Sequence, residues 1–181
     1  NIESLCLKMI DNNISKFKVG ESVQGNEIKG DKVNITLDGT NPFDSDGVKL
    51  EKVSIIKEGI LKTYHGSERY CYYLNINTTG ALDKVTVQCG EKSIEEMKTE
   101  PYVELLAFSD FQMDSLTGDF AGEIRLGFIY DGDKVTPITG GSISGNIRKV
   151  QSNMYLSKEN FVDSNFNGPK ALELLEVNIA G

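Results

Sequence analysis

Ile124, Leu126, Phe128 and Tyr130 occupy every second position of one segment, Asp131-Gly132-Asp133 follows at once, and β-branched sequence resumes at Val135. Side chains two residues apart share one face of a strand, and an Asp-Gly turn reverses the chain within a few residues. The segment therefore predicts a β-hairpin, which steers the chain toward folds whose core is carried by sheet. Other segments repeat the signal. Val33, Ile35 and Leu37 alternate with Asn34 and Thr36 in the period of a half-buried strand. Val48 to Ile56 and Ile60 to Tyr64 flank Lys57-Glu58-Gly59, where Gly59 supplies the positive φ of a tight hairpin. Tyr102 to Phe108 reads as a further buried strand. The last strand, Leu172 to Ile179, changes phase between Leu174 and Leu175, which predicts a bulge.

Helical signals are fewer. Ile2, Leu5, Cys6, Met9, Ile10, Ile14 and Phe17 fall at steps of three and four, so an amphipathic helix is expected up to Phe17, with Glu3, Lys8 and Asp11 outward. Arg69 to Leu74 forms a second candidate. Ser93-Ile94-Glu95-Glu96 has the spacing of a capping box and predicts a short helix. No repeat period, low-complexity tract or linker interrupts the chain. The fold class expected is α+β: a predominantly antiparallel β-sheet or barrel-like domain, residues 1–181, with a few peripheral helices.

A chain of 181 residues is long enough to close one hydrophobic core. Its 19 Lys and Arg against 27 Asp and Glu give a formal charge of −8, and no basic cluster with interleaved aromatics stands out. Direct nucleic-acid binding is disfavoured, because phosphates must be neutralised by Lys and Arg. No run of about 18 apolar residues provides a membrane span. The chain opens on helical periodicity rather than on a basic stretch followed by an apolar one, so it is expected to be a piece of something longer. Cys6, Cys71 and Cys89 are odd in number and scattered, which argues against a disulfide framework and a self-contained zinc site, and favours reduced thiols in the cytoplasm. Asn13, Asn34 and Asn77 each begin an N-x-S/T triplet, a signal relevant only to a secreted protein.

His65 is the only histidine. Between Tyr64 and Gly66, with no partner at a meaningful spacing, it reads as an ordinary surface or turn residue. Gly140-Gly141-Ser142-Ile143-Ser144 misses the nucleophile elbow, since Ser144 stands where the last glycine belongs. The same stretch is glycine-rich but lacks the lysine and spacing of a phosphate loop, so it reads as a strand connection. Asp44-Ser45-Asp46-Gly47 resembles the centre of a calcium loop, but Pro42 and Val53 occupy two obligatory ligand positions. Asp44 and Asp46 are expected to hydrogen-bond nearby amides in a turn, with substrate contact as the alternative. Thr117-Gly118-Asp119-Phe120 is a turn of the same kind, and Thr117 and Asp119 are further candidates for substrate binding.

A series of phrases in fixed order carries a resemblance. They are Asn41-Pro42-Phe43-Asp44-Ser45-Asp46-Gly47-Val48, Gly59-Ile60-Leu61-Lys62, Thr78-Thr79-Gly80, Leu116 to Phe120, Ser142-Ile143-Ser144-Gly145-Asn146 and Gly168-Pro169, closed by Val177-Asn178-Ile179-Ala180-Gly181. Together they resemble the C-terminal half of the TldD/PmbA family, proteins long labelled modulators of DNA gyrase and regarded as metallopeptidase subunits. The resemblance covers nearly the whole chain and implies that an N-terminal half of similar size is absent. In the catalytic branch, zinc is held by an HExxxH helix in that half and by a cysteine near the C-terminus. This chain has one histidine, and Ser157 to Pro169 contains Asn160, Phe161, Asp163, Asn165 and Asn167 but no cysteine. That departure resembles the PmbA branch, also called TldE.

The resemblance thus implies a subunit without metal or catalytic residues of its own, paired with a TldD-like catalytic subunit that carries the zinc. Extended or unfolded peptides are the implied substrate, and a homo-oligomer of the fragment is compatible with it. Two alternatives stand beside this reading. One is an active metallopeptidase whose unusual third zinc ligand is a carboxylate such as Asp163. The other is a protein that modulates gyrase by protein contact.

Overall fold

The computed structural model describes residues 17–98, 101–114 and 116–181. The helix expected before Phe17 lies outside them. The first strands are β1 (Ile35–Asp38), β2 (Val53–Lys57), β3 (Ile60–Leu61) and β4 (Lys84–Val87). Then come β5 (Tyr102–Met113), β6 (Asp119–Tyr130), β7 (Val135–Ile138), β8 (Ser142–Asn146) and β9 (Met154–Leu156). The chain closes with β10 (Asn160–Val162), β11 (Phe166–Pro169), β12 (Leu172–Leu174) and β13 (Asn178–Ala180). Short helices α1 (Glu68–Leu74), α2 (Ile94–Met97) and α3 (Ile147–Val150) punctuate them. One sheet has the order β10-β11-β4-β1-β2-β3, a second β13-β8-β6-β5 with β7 also on β6, and β12 pairs β9. The named strands pair antiparallel except β11 with β4. The fold is the expected sheet-dominated α+β class, but among the described residues the sheets stay open and no closed barrel forms.

Alternation places the core. Val33, Ile35 and Leu37 are all buried while Asn34 and Thr36 are not, so β1 presents one full face inward. Against it β2 buries two successive residues, Ile55 and Ile56, because pairing slips from Ile35↔Ile56 to Thr36↔Ser54. Such a bulge admits one extra residue and turns consecutive side chains toward one side. The β2–β3 hairpin turns through Glu58 and Gly59, with φ of 54° and 72°. Two positive φ values match the hairpin turn whose twist suits paired strands, and glycine accepts one at little cost. Residues 48–52 are not strand. Their backbone instead holds the octapeptide, Asp44 N donating to Val48 O and Leu50 N to Pro42 O.

The hairpin expected from Ile124 through Asp131-Gly132-Asp133 to Val135 forms as β6–β7, and β6 also pairs along β5, both of those strands running twelve residues. Phe120 and Ile124 are buried, yet Leu126 is 43% exposed. The cause lies in the partner strand. Register moves from Leu105↔Gly127 through Ala107↔Leu126 to Phe108↔Ile124, and these shifts break the facing of β6 midway. The predicted single strand from Leu172 to Ile179 is also corrected. It is two strands, β12 on β9 and β13 on β8, separated by Glu176 at φ 63°. The phase change marked a passage between sheets rather than a bulge.

One apolar cluster joins the sheets: Val23, Val33, Leu37, Ile55, Ile56 and Leu61 meet Phe120, Ile143, Ile147, Val150, Met154 and Leu156. Inside it lies a polar clamp that the sequence did not announce. Gln24, 1% exposed, donates through Nε2 to Asp31 O (3.0 Å) and Gln151 O (2.9 Å) and accepts from Val33 N (2.8 Å). Gln151, 2% exposed, donates to Val23 O. Each buried amide is satisfied by backbone from another segment, which ties the 22–33 loop to the turn after α3. The α2 capping box is present, Ser93 Oγ accepting from Glu96 N and Glu96 Oε2 from Ser93 N.

Candidate functional site

The phrases that stood apart in sequence meet in pairs. Asp44 is the hub of the first junction: Oδ1 accepts from Asp46 N and Val48 N, both at 2.9 Å, and Oδ2 accepts from Ala81 N at 3.0 Å. The bond from Ala81, followed by those in its own turn, holds its carboxyl below the usual range. Gly80, at φ 75°, lies so close that an added Cβ would sit 2.4 Å from Leu50 Cδ2 and 2.9 Å from Asp44 Oδ2. Only glycine suits that position, which explains Thr78-Thr79-Gly80 physically. Thr79 Oγ1 in turn accepts from Gly66 N.

The second junction joins Leu116-Thr117-Gly118-Asp119-Phe120 to Ser142-Ile143-Ser144-Gly145-Asn146. Asn146 Nδ2 donates to Asp119 Oδ1 (2.7 Å) and Thr117 O (3.1 Å), while its Oδ1 caps α3 by accepting from Arg148 N. Thr117 Oγ1 accepts from Asp119 N, and Asp114 Oδ1 from Leu116 N and Thr117 N. The Asn146 amide, then Thr117, keep the Asp119 carboxyl below its ordinary range. Gly145 packs on Phe120, with an added Cβ only 2.6 Å from the ring.

Asp44 therefore spends both oxygens on backbone amides, and Thr117 and Asp119 are bound into their own loop. Asp46 is exposed and lends its backbone amide to Asp44. Among the described residues no hydrogen bond or ion pair joins the Asp44–Asp46 turn to the Thr117–Asp119 turn, so the four candidates form two separate junctions.

His65 differs from the expectation of a surface residue. It is 7% exposed, and among the described residues neither ring nitrogen has a hydrogen-bond partner. Burial pushes its pKa down to about 4, so the imidazole is neutral at physiological pH. The neighbouring backbone is held by α1 and the Thr79 loop, Cys71 Sγ donating to Gly66 O and Gly66 N to Thr79 Oγ1. Sequence spacing missed it because these contacts come from later in the chain.

Asp163 rims an open cleft of about 290 Å³ floored by Ile35, Val85, Val87 and Phe166, with Ser164 and Asn165 beside it. Its Oδ1 accepts from Ser164 N at 2.7 Å. A zinc peptidase centre needs about three protein ligands and an open position for water. Among the described residues no three His, Cys, Asp or Glu side chains gather as a ligand set. The described residues therefore form no complete zinc site by themselves. Among them, too, no helix is long and apolar enough to cross a membrane.

The fold and the site define an open, mostly antiparallel α+β domain whose motif residues brace turns. The chain belongs to the PmbA/TldD family, for the family's model, described as the PmbA/TldA metallopeptidase C-terminal domain, matches residues 3–181. An uncharacterised protein of Methanocaldococcus jannaschii is 26% identical over 160 residues, which is 76% of this chain and 36% of that protein. Among solved structures, TldE from Thermococcus kodakarensis superposes with a TM-score of 0.79 at 18% identity, over 99% of this chain and 46% of that one. A candidate modulator of DNA gyrase from Bacteroides thetaiotaomicron gives 0.75 at 20% identity, over 99% and 43%. Another from Thermotoga maritima gives 0.74 at 20%, over 97% and 44%. These structures share the fold, and the chain spans less than half the length of each of these relatives.

Proposed function

We propose that this chain forms the C-terminal domain of a non-catalytic, TldE-like subunit of a cytoplasmic peptide-processing complex, paired with a TldD-like subunit that carries the zinc. The observation that carries the reading is a family member in which Ser157 to Pro169, the segment bearing β10 and β11, holds no cysteine. The role left to such a domain is to hold substrate. β10 lies at the edge of its sheet with Phe161 49% and Val162 65% exposed. An extended peptide can add to such an edge through backbone hydrogen bonds, which tolerate many sequences.

The test is to purify the full-length protein and a TldD-like relative from the same organism and assay cleavage of an unfolded polypeptide by each alone and by the mixture. Cleavage only when the zinc-bearing subunit is present, raised by adding this one, is the expected result. Cleavage by this protein alone would overturn the proposal.

A further inference from the structure

The segment from His65 to Thr79 runs between β3 and β4 and contributes no strand. Its two ends are fastened. Tyr64 Oη donates to Phe17 O at 2.8 Å, and beyond Gly80 the amide of Ala81 donates to Asp44 Oδ2. Between those points the bonds are internal: Gly66 N donates to Thr79 Oγ1 at 3.0 Å, Cys71 Sγ to Gly66 O at 3.4 Å, and Ile76 N to Cys71 O at 3.0 Å. Among the described residues no hydrogen bond, ion pair or ring contact carries the segment past Tyr64 or Gly80.

Apolar packing does little more to fix it. Helix α1 packs along none of the strands or other helices, and Cys71 is its one buried residue. Tyr72 and Tyr73 are exposed, while Leu74 and Ile76 stand outside the apolar cluster that joins the sheets. The helix is seven residues long, its N-cap Ser67 makes no side-chain bond, and its C-cap Asn75 sits at φ 52°, so little of its stability is its own. In the same segment His65 is buried with both ring nitrogens unpaired. A buried polar group without a partner regains hydrogen bonds to water once it is exposed, so the burial of His65 works against closure. Segments with few buried apolar contacts open at free energies below that of global unfolding.

We propose that residues 65–79 form a strap that opens as one unit while both sheets stay folded, hinged at Tyr64 and Gly80, and that proton uptake by His65 drives the opening. The inference is independent of the peptide-processing reading. Of the titratable groups nearest in the chain, Lys62, Glu68, Arg69 and the tyrosines Tyr72 and Tyr73 are exposed, Tyr64 is bound to Phe17 O and Cys71 to Gly66 O. Burial is the one cause that lowers the His65 pKa to about 4. The open imidazole takes up a proton near pH 6.5 and the closed one near 4, so opening gains as pH falls between those values and is unaffected above them.

The test is native-state amide exchange of the full chain, followed by NMR at pH 7 and pH 5, each opening constant being the observed rate over the intrinsic one. At pH 7 the amides of Gly66, Cys71 and Ile76 are expected to share one opening constant, about tenfold or more above that of the most protected β1 amides. Between pH 7 and pH 5 that constant should rise about 20-fold, and His65→Leu should abolish the rise. Thr79→Val removes the acceptor for Gly66 N and should raise the constant several-fold at all three amides while leaving its pH dependence unchanged. The wild-type constants and Thr79→Val carry the test without relying on His65→Leu to fold. Three unrelated constants, constants no larger than those of β1, or a Thr79→Val effect confined to Gly66 would overturn the single unit. A constant that does not rise in acid, or a rise that survives His65→Leu, would overturn the role of His65.

Discussion

Between pH 7 and 5, acid should destabilise this protein mainly through His65. His65 is the only histidine, and burial lowers its folded pKa from 6.5 to about 4. In the unfolded chain it takes up a proton near pH 6.5, so below that value the unfolded state binds more protons than the folded one, and stability falls as pH falls. The loss runs from about pH 6.5 down to about 4 and then levels off. At about 1.4 kcal/mol per pKa unit, it amounts to roughly 2 kcal/mol between pH 7 and 5 and about 3 kcal/mol by pH 4. The carboxylates with resolved shifts, Asp44, Glu51, Asp83, Glu96, Asp114, Asp119 and Asp131, are all lowered from ordinary values of 4.5 or 3.8, so their contributions are lost mainly below the pH 7 to 5 interval. The assay is urea unfolding of wild type and His65→Leu at pH 7 and pH 5. Wild type should lose about 2 kcal/mol between the two conditions that His65→Leu retains. Parallel pH profiles for the two proteins would refute the reasoning, whatever their absolute stabilities.

Other perturbations test the scaffold. Gln24→Ala strips the acceptor from buried Val33 N and the donors from Asp31 O and Gln151 O, and should cost at least about 2 kcal/mol in urea unfolding at pH 7. Gly145→Ala drives a methyl into the Phe120 ring and should cost about 1 to 3 kcal/mol by the same assay. Asp44→Asn should speed amide exchange at Val48 and Ala81 in the native state. The stability that Asp44 contributes is present above its unfolded value near 3.8 and fades as pH falls through its lower folded value.

The sequence was readable where local rules and tertiary structure agree. Alternation found β1 and the β6–β7 hairpin, and the capping box found α2. It failed where a partner strand decides: nothing in β6 itself tells that Leu126 faces solvent, since the register shifts lie in its pairing with β5. The same holds for Leu174 to Val177, whose phase change meant a transfer between sheets. At the site, the Asx-turn chemistry of Asp44 was legible, because Asp followed by a glycine is a local signal. Its third bond, to Ala81, was not, although the recurrence of Thr79-Gly80 among the family phrases was the available hint. His65 and the Gln24–Gln151 clamp left no trace, since their burial depends on contacts from distant segments.

The central claim is that this subunit holds substrate and leaves the metal to its partner. The measurement that tests it most directly is zinc content per polypeptide, by elemental analysis, of the full-length protein purified alone and purified with its TldD-like partner. The account predicts no stoichiometric zinc in the protein alone and one zinc-bearing polypeptide in the complex, the partner. Stoichiometric zinc in the protein alone, lost on Asp163→Ala, would contradict it.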